Sequence, residues 1–247
     1  MIEDITERYL VDAVRTDFVA NISHELKTPV GALAVLAEAL SQEDDLDIIH
    51  RLSEKMVDEA IRVGRTIDDL LELSRIEFGG EAVKDEVDAG EIVSESISRV
   101  SPLASTHAIK VAMIELATPL KVVGDRRQLV SAIGNLVENA VKYSEVGSAV
   151  EVSAQANGDS VEFTVKDFGL GIPSRDLDRV FERFYRVDRA RSRDTGGTGL
   201  GLAIVRHVAN NHGGDVSVTS IEGEGSTFSL KIPKFVSQNP ATMRESS

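Results

Sequence analysis

Residues 17–33 read DFVANISHELKTPVGAL, and the spacing within this stretch decides what kind of element opens the chain. With Phe18 as angular origin and about 100° per residue, Val11, Val14, Ile22, Leu26, Leu33, Leu36 and Leu40 fall roughly within a 120° stripe, which should bury. His24 lies about 200° from Ile22, on the opposite face, and Thr28 about 40° from His24. An imidazole facing water, with the Glu25 carboxylate beside it and a hydroxyl one turn on, is placed for chemistry. Taken alone, the pattern also fits a surface histidine on an ordinary amphipathic helix. Thr28 likewise fits a residue that merely precedes Pro29, whose ring removes an i to i−4 bond and should kink the helix.

Working outward, residues 1 to about 40 read as one long helix. SQEDDL (41–46) is a polar break, with Ser41 and the acidic residues suited to capping the next helix. Ile49, Leu52, Met56, Ala60, Val63, Ile67 and Leu70 then recur in steps of three and four, close to a heptad seam. Two amphipathic helices with a short loop make an antiparallel hairpin. A lone hairpin cannot cover its own apolar stripes, so pairing with a second copy into a four-helix bundle is expected. Phe78-Gly79-Gly80 and the acidic stretch after it mark a joint. The expected organisation is a hairpin over 1–77, a linker over 78–90, a second domain over 91–234 and a polar, disordered tail over 235–247.

In the second domain the pattern predicts strands near 82–88 and 108–116, with a helix near 90–105 between them. A helix over 126–143 follows, then strands near 148–156 and 160–167 around the turn Asn157-Gly158-Asp159. A short helix near 175–181, a longer one near 199–212 and strands over 215–221 and 226–232 complete it. This is an α+β sandwich, a mixed sheet with helices on one face.

Composition narrows the chemistry. The 247 residues are 42% hydrophobic and 28% charged and contain no cysteine, which excludes disulfides, thiolate metal sites and cysteine nucleophiles. The five histidines are scattered, so a zinc site is not expected. A net charge of −14 argues against a nucleic-acid-binding surface, apart from the local cluster Arg186, Arg189, Arg191 and Arg193. With 4% aromatic residues and no Trp, stacking platforms for single strands are few. No apolar run reaches the length of about 18 residues that a membrane span needs.

Three stretches of the second half carry possible phosphate chemistry. Asn135 and Asn139 are spaced i, i+4, so their amides share a helix face, and Lys142 and Tyr143 follow one turn later. Amides can ligate a hard cation through oxygen and donate to phosphate through nitrogen, although solvated helix-face asparagines give the same pattern. Asp167-Phe168-Gly169-Leu170-Gly171 follows an alternating strand. A carboxylate at a strand end can accept the exocyclic amine of adenine, and the glycines let backbone approach a ring; a plain turn is the alternative. Gly197-Thr198-Gly199-Leu200-Gly201 opens a helix, whose N–H groups form a natural phosphate cradle. It lacks the spacing of a dinucleotide-binding turn and the Gly-Lys-Ser/Thr of a P-loop. The DFG letters also occur in protein kinases, but no kinase catalytic loop or Gly-rich loop accompanies them. The stretch Ser174–Thr195, with Phe181, Phe184, Tyr185 and several arginines, suggests a lid.

The run Ser23–Pro29 resembles the phospho-acceptor box of bacterial sensor histidine kinases. NLVENAVKYS, DFGLGIP, RVFERFYRVD, GGTGLGLAIV and GEGSTF resemble that family's nucleotide boxes and stand in the same order. DFVANISHELKTPVGALAVLAEAL and FERFYRVDRARSRDTGGTGLGLAIVRHVANNHGG are further similar to phosphate-responsive sensor kinases of actinobacteria. The resemblance implies a Bergerat-type ATP-binding fold behind a dimeric four-helix bundle. It assigns Mg²⁺ to Asn139 and nucleotide contacts to Asn135, Lys142, Tyr143, Asp167, Gly169, Gly171, Ile172, Gly197, Thr198, Gly199, Leu200, Gly201 and Thr227.

The resemblance also implies an activity, with ATP and Mg²⁺ as cofactors. His24 takes the γ-phosphoryl group of ATP, Glu25 orients the imidazole and takes its proton, and an aspartate of a response regulator receives the phosphoryl group. A Thr at the offset of Thr28 implies a second, phosphatase activity on that regulator. Related ATPases place a glutamate base four residues before the magnesium asparagine; Asn135 stands there and cannot activate water. A degenerate scaffold and a serine-directed kinase share the ATP fold; the intact boxes argue against the first and the His24 box against the second. The chain reads as cytoplasmic, without direct membrane contact. Family members carry a membrane-spanning sensor ahead of the histidine box, so a longer, membrane-anchored protein is expected.

Overall fold

The computed structural model describes residues 26–78, 85–116, 120–187 and 197–235. The chain divides into two compact units, Met1–Leu71 and Glu72–Ser247. In the first, helix α1 covers 26–41 and helix α2 begins at Leu46, running to Phe78 and so crossing into the second unit. Between them Asp45 caps α2, its Oδ1 accepting from the N–H groups of Asp47 (2.9 Å) and Ile48 (3.3 Å). Ser41 instead donates back to the carbonyl of Glu38. Leu26, Leu33, Leu36 and Leu40 are half-buried and Thr28 is exposed, as the stripe requires. His24 and Glu25 lie outside the described residues.

The seam of α2 differs from the expected one. Covered positions in steps of three and four are Ile49, Leu52, Met56, Glu59, Val63, Thr66 and Leu70, with Ile48, Ser53, Arg62 and Asp69 half-buried beside them, while Ala60 and Ile67 are exposed. A seam alternates three and four without exception, and this periodicity overrides residue type. Glu59 is accommodated by pairing with Arg62 (3.5 Å), and Thr66 by donating to the Arg62 carbonyl (2.9 Å). Val57, Ile61, Ile67 and Leu71 remain between 42% and 58% exposed and form a second apolar stripe.

The second unit holds two sheets. Strand β1 (Asp85–Asp88) pairs antiparallel with β3 (Lys121–Gly124). The larger sheet has the order β2-β4-β5-β7-β6, from β2 (Lys110–Leu116), β4 (Ala149–Asn157), β5 (Ser160–Asp167), β6 (Asp215–Ile221) and β7 (Gly225–Pro233). Only β2 and β4 run parallel, so the sheet is mixed as expected. Helices α3 (Ala89–Thr106), α4 (Arg126–Tyr143) and α5 (Gly201–Asn211) supply the other layer. Val152, Val161, Phe163, Val165 and Leu230 are fully buried, as are Leu129, Ile133, Leu136 and Val137 of α4. Strand alternation and helix periodicity thus meet in one core.

Two aspartates start the helices that flank it: Asp88 caps α3, and Asp125 caps α4 by accepting from Arg127 N–H (2.8 Å). His212 is buried at the end of α5; its Nε2 accepts from Asp125 N–H (2.9 Å) and its Nδ1 lies 2.7 Å from the Val208 carbonyl. It ties α5 to the start of α4.

Strand β3 adds to the expected elements and one expected element needs correction. The short helix near 175–181 is a single 3-10 turn, Ser174–Asp176, followed by turns. The chain is diverted there by long-range bonds: Tyr185 Oη donates to Asp176 Oδ1 (2.7 Å), and Phe184, at φ +60°, donates its N–H to the Gly199 carbonyl (2.9 Å). Of the 78–90 joint, 85–88 is β1 and Ala89 already begins α3. Among the described residues no helix is long and apolar enough to cross a membrane.

Candidate nucleotide site

The site is built on one face of α4. Leu136, Val137, Ala140 and Val141 point into the core, so the helix period leaves Asn135, Glu138, Asn139 and Lys142 half-buried on another face. Neither asparagine amide has a hydrogen-bond partner among the described residues. Lys142 is paired to Glu138 at 2.6 Å. Asn135 borders the start of α5, since a Cβ on Gly201 would lie 3.0 Å from its Oδ1.

Asp167 ends β5 and is 4% exposed. Its Oδ1 accepts from the N–H groups of Gly169 (3.0 Å) and Ser226 (3.2 Å), whereas Oδ2 has no partner among the described residues. Burial pushes its pKa above the ordinary carboxylate value, and the two N–H bonds only partly offset this. A buried carboxylate with one committed oxygen and one free is suited to an N–H donor on a ligand.

Backbone contacts bring the remaining boxes to these two groups. Leu170 N–H donates to the Tyr143 carbonyl (3.1 Å), and the approach is so close that a Cβ on Gly169 would lie 2.0 Å from that oxygen. Gly223 N–H donates to the Leu170 carbonyl (2.8 Å), and Ile172 N–H to Ser220 Oγ (2.8 Å). Tyr143 Oη stands 3.9 Å from where a Gly197 Cβ would be, and Leu200 N–H lies 3.2 Å from Thr198 Oγ1. Gly199 has φ +73° and packs on the backbone of Phe184.

The structure therefore gathers Asn135, Tyr143, Asp167, Gly169, Leu170, Ile172 and Gly197–Gly201 through contacts that run from α4 to the start of α5. It does not bring in Thr227. Alternation along β7 puts Ser226 and Phe228 on the buried face and Thr227 on the other, paired beside Lys166 and Thr219. Ser226, beside it, holds Asp167 together with Gly169 through its backbone N–H, a contact that side-chain alternation does not announce. Thr28 belongs to the first unit. Arg186 is half-buried; Arg189, Arg191 and Arg193 lie outside the described residues.

A magnesium ion would fit this site. The described residues offer no cluster of three or more His, Cys, Asp or Glu side chains that could hold a metal. The two unengaged amides of Asn135 and Asn139 instead suit a hard cation that shares its ligands with phosphate oxygens.

Known proteins resemble both parts of the chain. Residues 124–235 match the family of histidine kinase-, DNA gyrase B- and HSP90-like ATPases, and residues 14–79 match the His Kinase A (phospho-acceptor) domain. The chain is 51% identical over 237 residues, 95% of its length, to the sensor-like histidine kinase SenX3 of Mycolicibacterium smegmatis, and spans 61% of that protein. Among solved structures, a mycobacterial sensor histidine kinase, MprB, is 33% identical with a TM-score of 0.54, covering 62% of this chain and 98% of that one. Full-length ShkA in complex with AMPPNP is 27% identical with a TM-score of 0.64, covering 90% of this chain and 46% of that one. The residue patterns, the fold and these likenesses agree: the chain belongs to the sensor histidine kinases.

Proposed function

We propose that this chain is the autophosphorylating core of a sensor histidine kinase, an ATP:protein-L-histidine phosphotransferase. The reading rests most on Asp167: a buried carboxylate with one oxygen fixed by two backbone N–H groups and the other free to accept an adenine amine. Guanine has no amine at the corresponding edge, so the site selects ATP. Tyr143 and Lys142 flank the base and phosphates, and the N–H groups opening α5 take the phosphate charge. Mg²⁺ would be held through Asn139, where it neutralises phosphate charge.

His24 attacks the γ-phosphorus in line with the departing oxygen. A P–N bond forms, the P–O bond to ADP breaks, and Glu25 takes the imidazole proton. Asn135 stands where related ATPases carry a glutamate base, so water is not activated and the phosphoryl group is kept for His24. The group then passes to an aspartate of a response regulator, and Thr28 supports the reverse service, dephosphorylating that regulator. Residues 1–77 serve dimerisation and phosphotransfer, and 91–234 catalysis. The stripe formed by Val57, Ile61, Ile67 and Leu71 supports pairing with a second copy. The full-length protein is membrane-anchored, with this part on the cytoplasmic side.

The test is incubation with γ-labelled ATP. The parent chain acquires an acid-labile label and His24→Gln acquires none. An acid-stable label, or undiminished labelling of His24→Gln, overturns the reading.

A further inference from the structure

The last turn of α2 supplies one carboxylate, outside the nucleotide boxes, to a charged cluster with Arg183 of RVFERFYRVD and His207 of α5. Glu77 is 10% exposed and pairs with the Arg183 guanidinium and with His207 Nε2 (3.0 Å). Arg183 Nη2 lies a further 3.2 Å from His207 Nε2, so the three groups form a closed triangle. The surrounding turn is fixed as well. Leu73 and Ile76 are buried, and Asn211 Nδ2 donates to the Ile76 carbonyl (2.9 Å). A single carboxylate thus grips two elements that flank the nucleotide site. Arg183 precedes Phe184, which holds the Gly199 carbonyl (2.9 Å); His207 lies on α5, whose first residue, Gly201, borders Asn135.

We infer that Glu77 is a positioning residue for ATP use, acting through Arg183 and His207 to hold the 181–187 segment and α5 in register around the glycine box. Without the carboxylate, Arg183 loses the anion paired with it and His207 loses the acceptor 3.0 Å from its Nε2. Phe184, in its left-handed conformation, is then less firmly held against the Gly199 carbonyl. The consequence falls on the phosphate cradle before it falls on the chemistry, so it is read in affinity.

This inference rests on the site being the nucleotide site proposed above, and the experiment keeps the two apart. The whole chain is titrated with trinitrophenyl-ATP, and the ATP dependence of His24 labelling is measured in parallel. Glu77→Gln, which keeps shape and removes charge, raises the nucleotide Kd and the KM for ATP about tenfold, with kcat within about threefold of the parent. Glu77→Arg and Arg183→Glu each lose at least as much, and the double exchange recovers affinity to within about threefold. Glu77→Gln binding within about twofold of the parent, or a double exchange no better than the single ones although it melts with the parent, overturns the inference. A parent that binds the probe but does not label His24 refutes the kinase reading and leaves this one standing on its binding data.

Discussion

Asp167→Asn separates what the site does from what the fold needs. In the parent, Oδ1 is engaged by Gly169 and Ser226 at 3.0 and 3.2 Å, and the asparagine oxygen can keep both bonds. The amide nitrogen then replaces the free Oδ2 and sets a donor against the adenine amine. The loss is one hydrogen bond to a charged acceptor, about 1.5–3 kcal/mol, or roughly ten- to a hundredfold in ATP affinity. Stability moves the other way. Burial holds the native pKa of Asp167 above the ordinary 3.8, so the native state binds the proton more tightly than the unfolded chain does. The ionised group therefore subtracts stability fully above the raised pKa, and the penalty fades as pH falls through that value towards 3.8. Asparagine carries no such penalty. The variant should melt no lower than the parent at neutral pH, with the difference shrinking in acid. Fluorescent-nucleotide titration and thermal melts at several pH values check both arms. Nucleotide affinity within about threefold of the parent, or a variant that melts several degrees lower at neutral pH, would refute the reasoning.

Asn139→Ala should melt within about 0.5 kcal/mol of the parent, because its amide has no partner among the described residues, yet His24 labelling should fall about a hundredfold. EDTA should act on the parent in the same way, and labelling that persists in EDTA would remove the cation from the account. Gly199→Ala places a Cβ 2.9 Å from the Phe184 backbone at φ +73°. It should cost about 1–2 kcal/mol and weaken nucleotide binding without unfolding the chain, as titration and a melt on the same sample will show.

The nucleotide half was legible where its periods are dense. Helix α4 and strand β5 fall where alternation and the helical repeat put them, because Leu129 to Val141 and Val161 to Val165 leave one burial pattern possible. What escaped was set by contacts distant in sequence. Phe184 takes a left-handed backbone to reach Gly199, and β3 exists because β1 pairs with it and Val122 bridges to Lys234. The bonds that hold Asp167 come from the backbone N–H groups of Gly169 and Ser226, which no side-chain pattern announces. The seam of α2 departs from expectation because strict alternation covers Glu59 and Thr66, although Ala60 and Ile67 are the more apolar residues.

Helix α2 has 33 residues and belongs to both compact units, since the division falls at Leu71 while the helix continues to Phe78. Its last turns are therefore part of the second unit's own core, with Leu73 fully buried and Ile76 nearly so, and with Asn211 Nδ2 bonded to the Ile76 carbonyl. A fragment cut at the glycines after Phe78 would leave the seats of Leu73 and Ile76 open to water. An ATP-binding fragment meant to fold on its own must begin before Glu72.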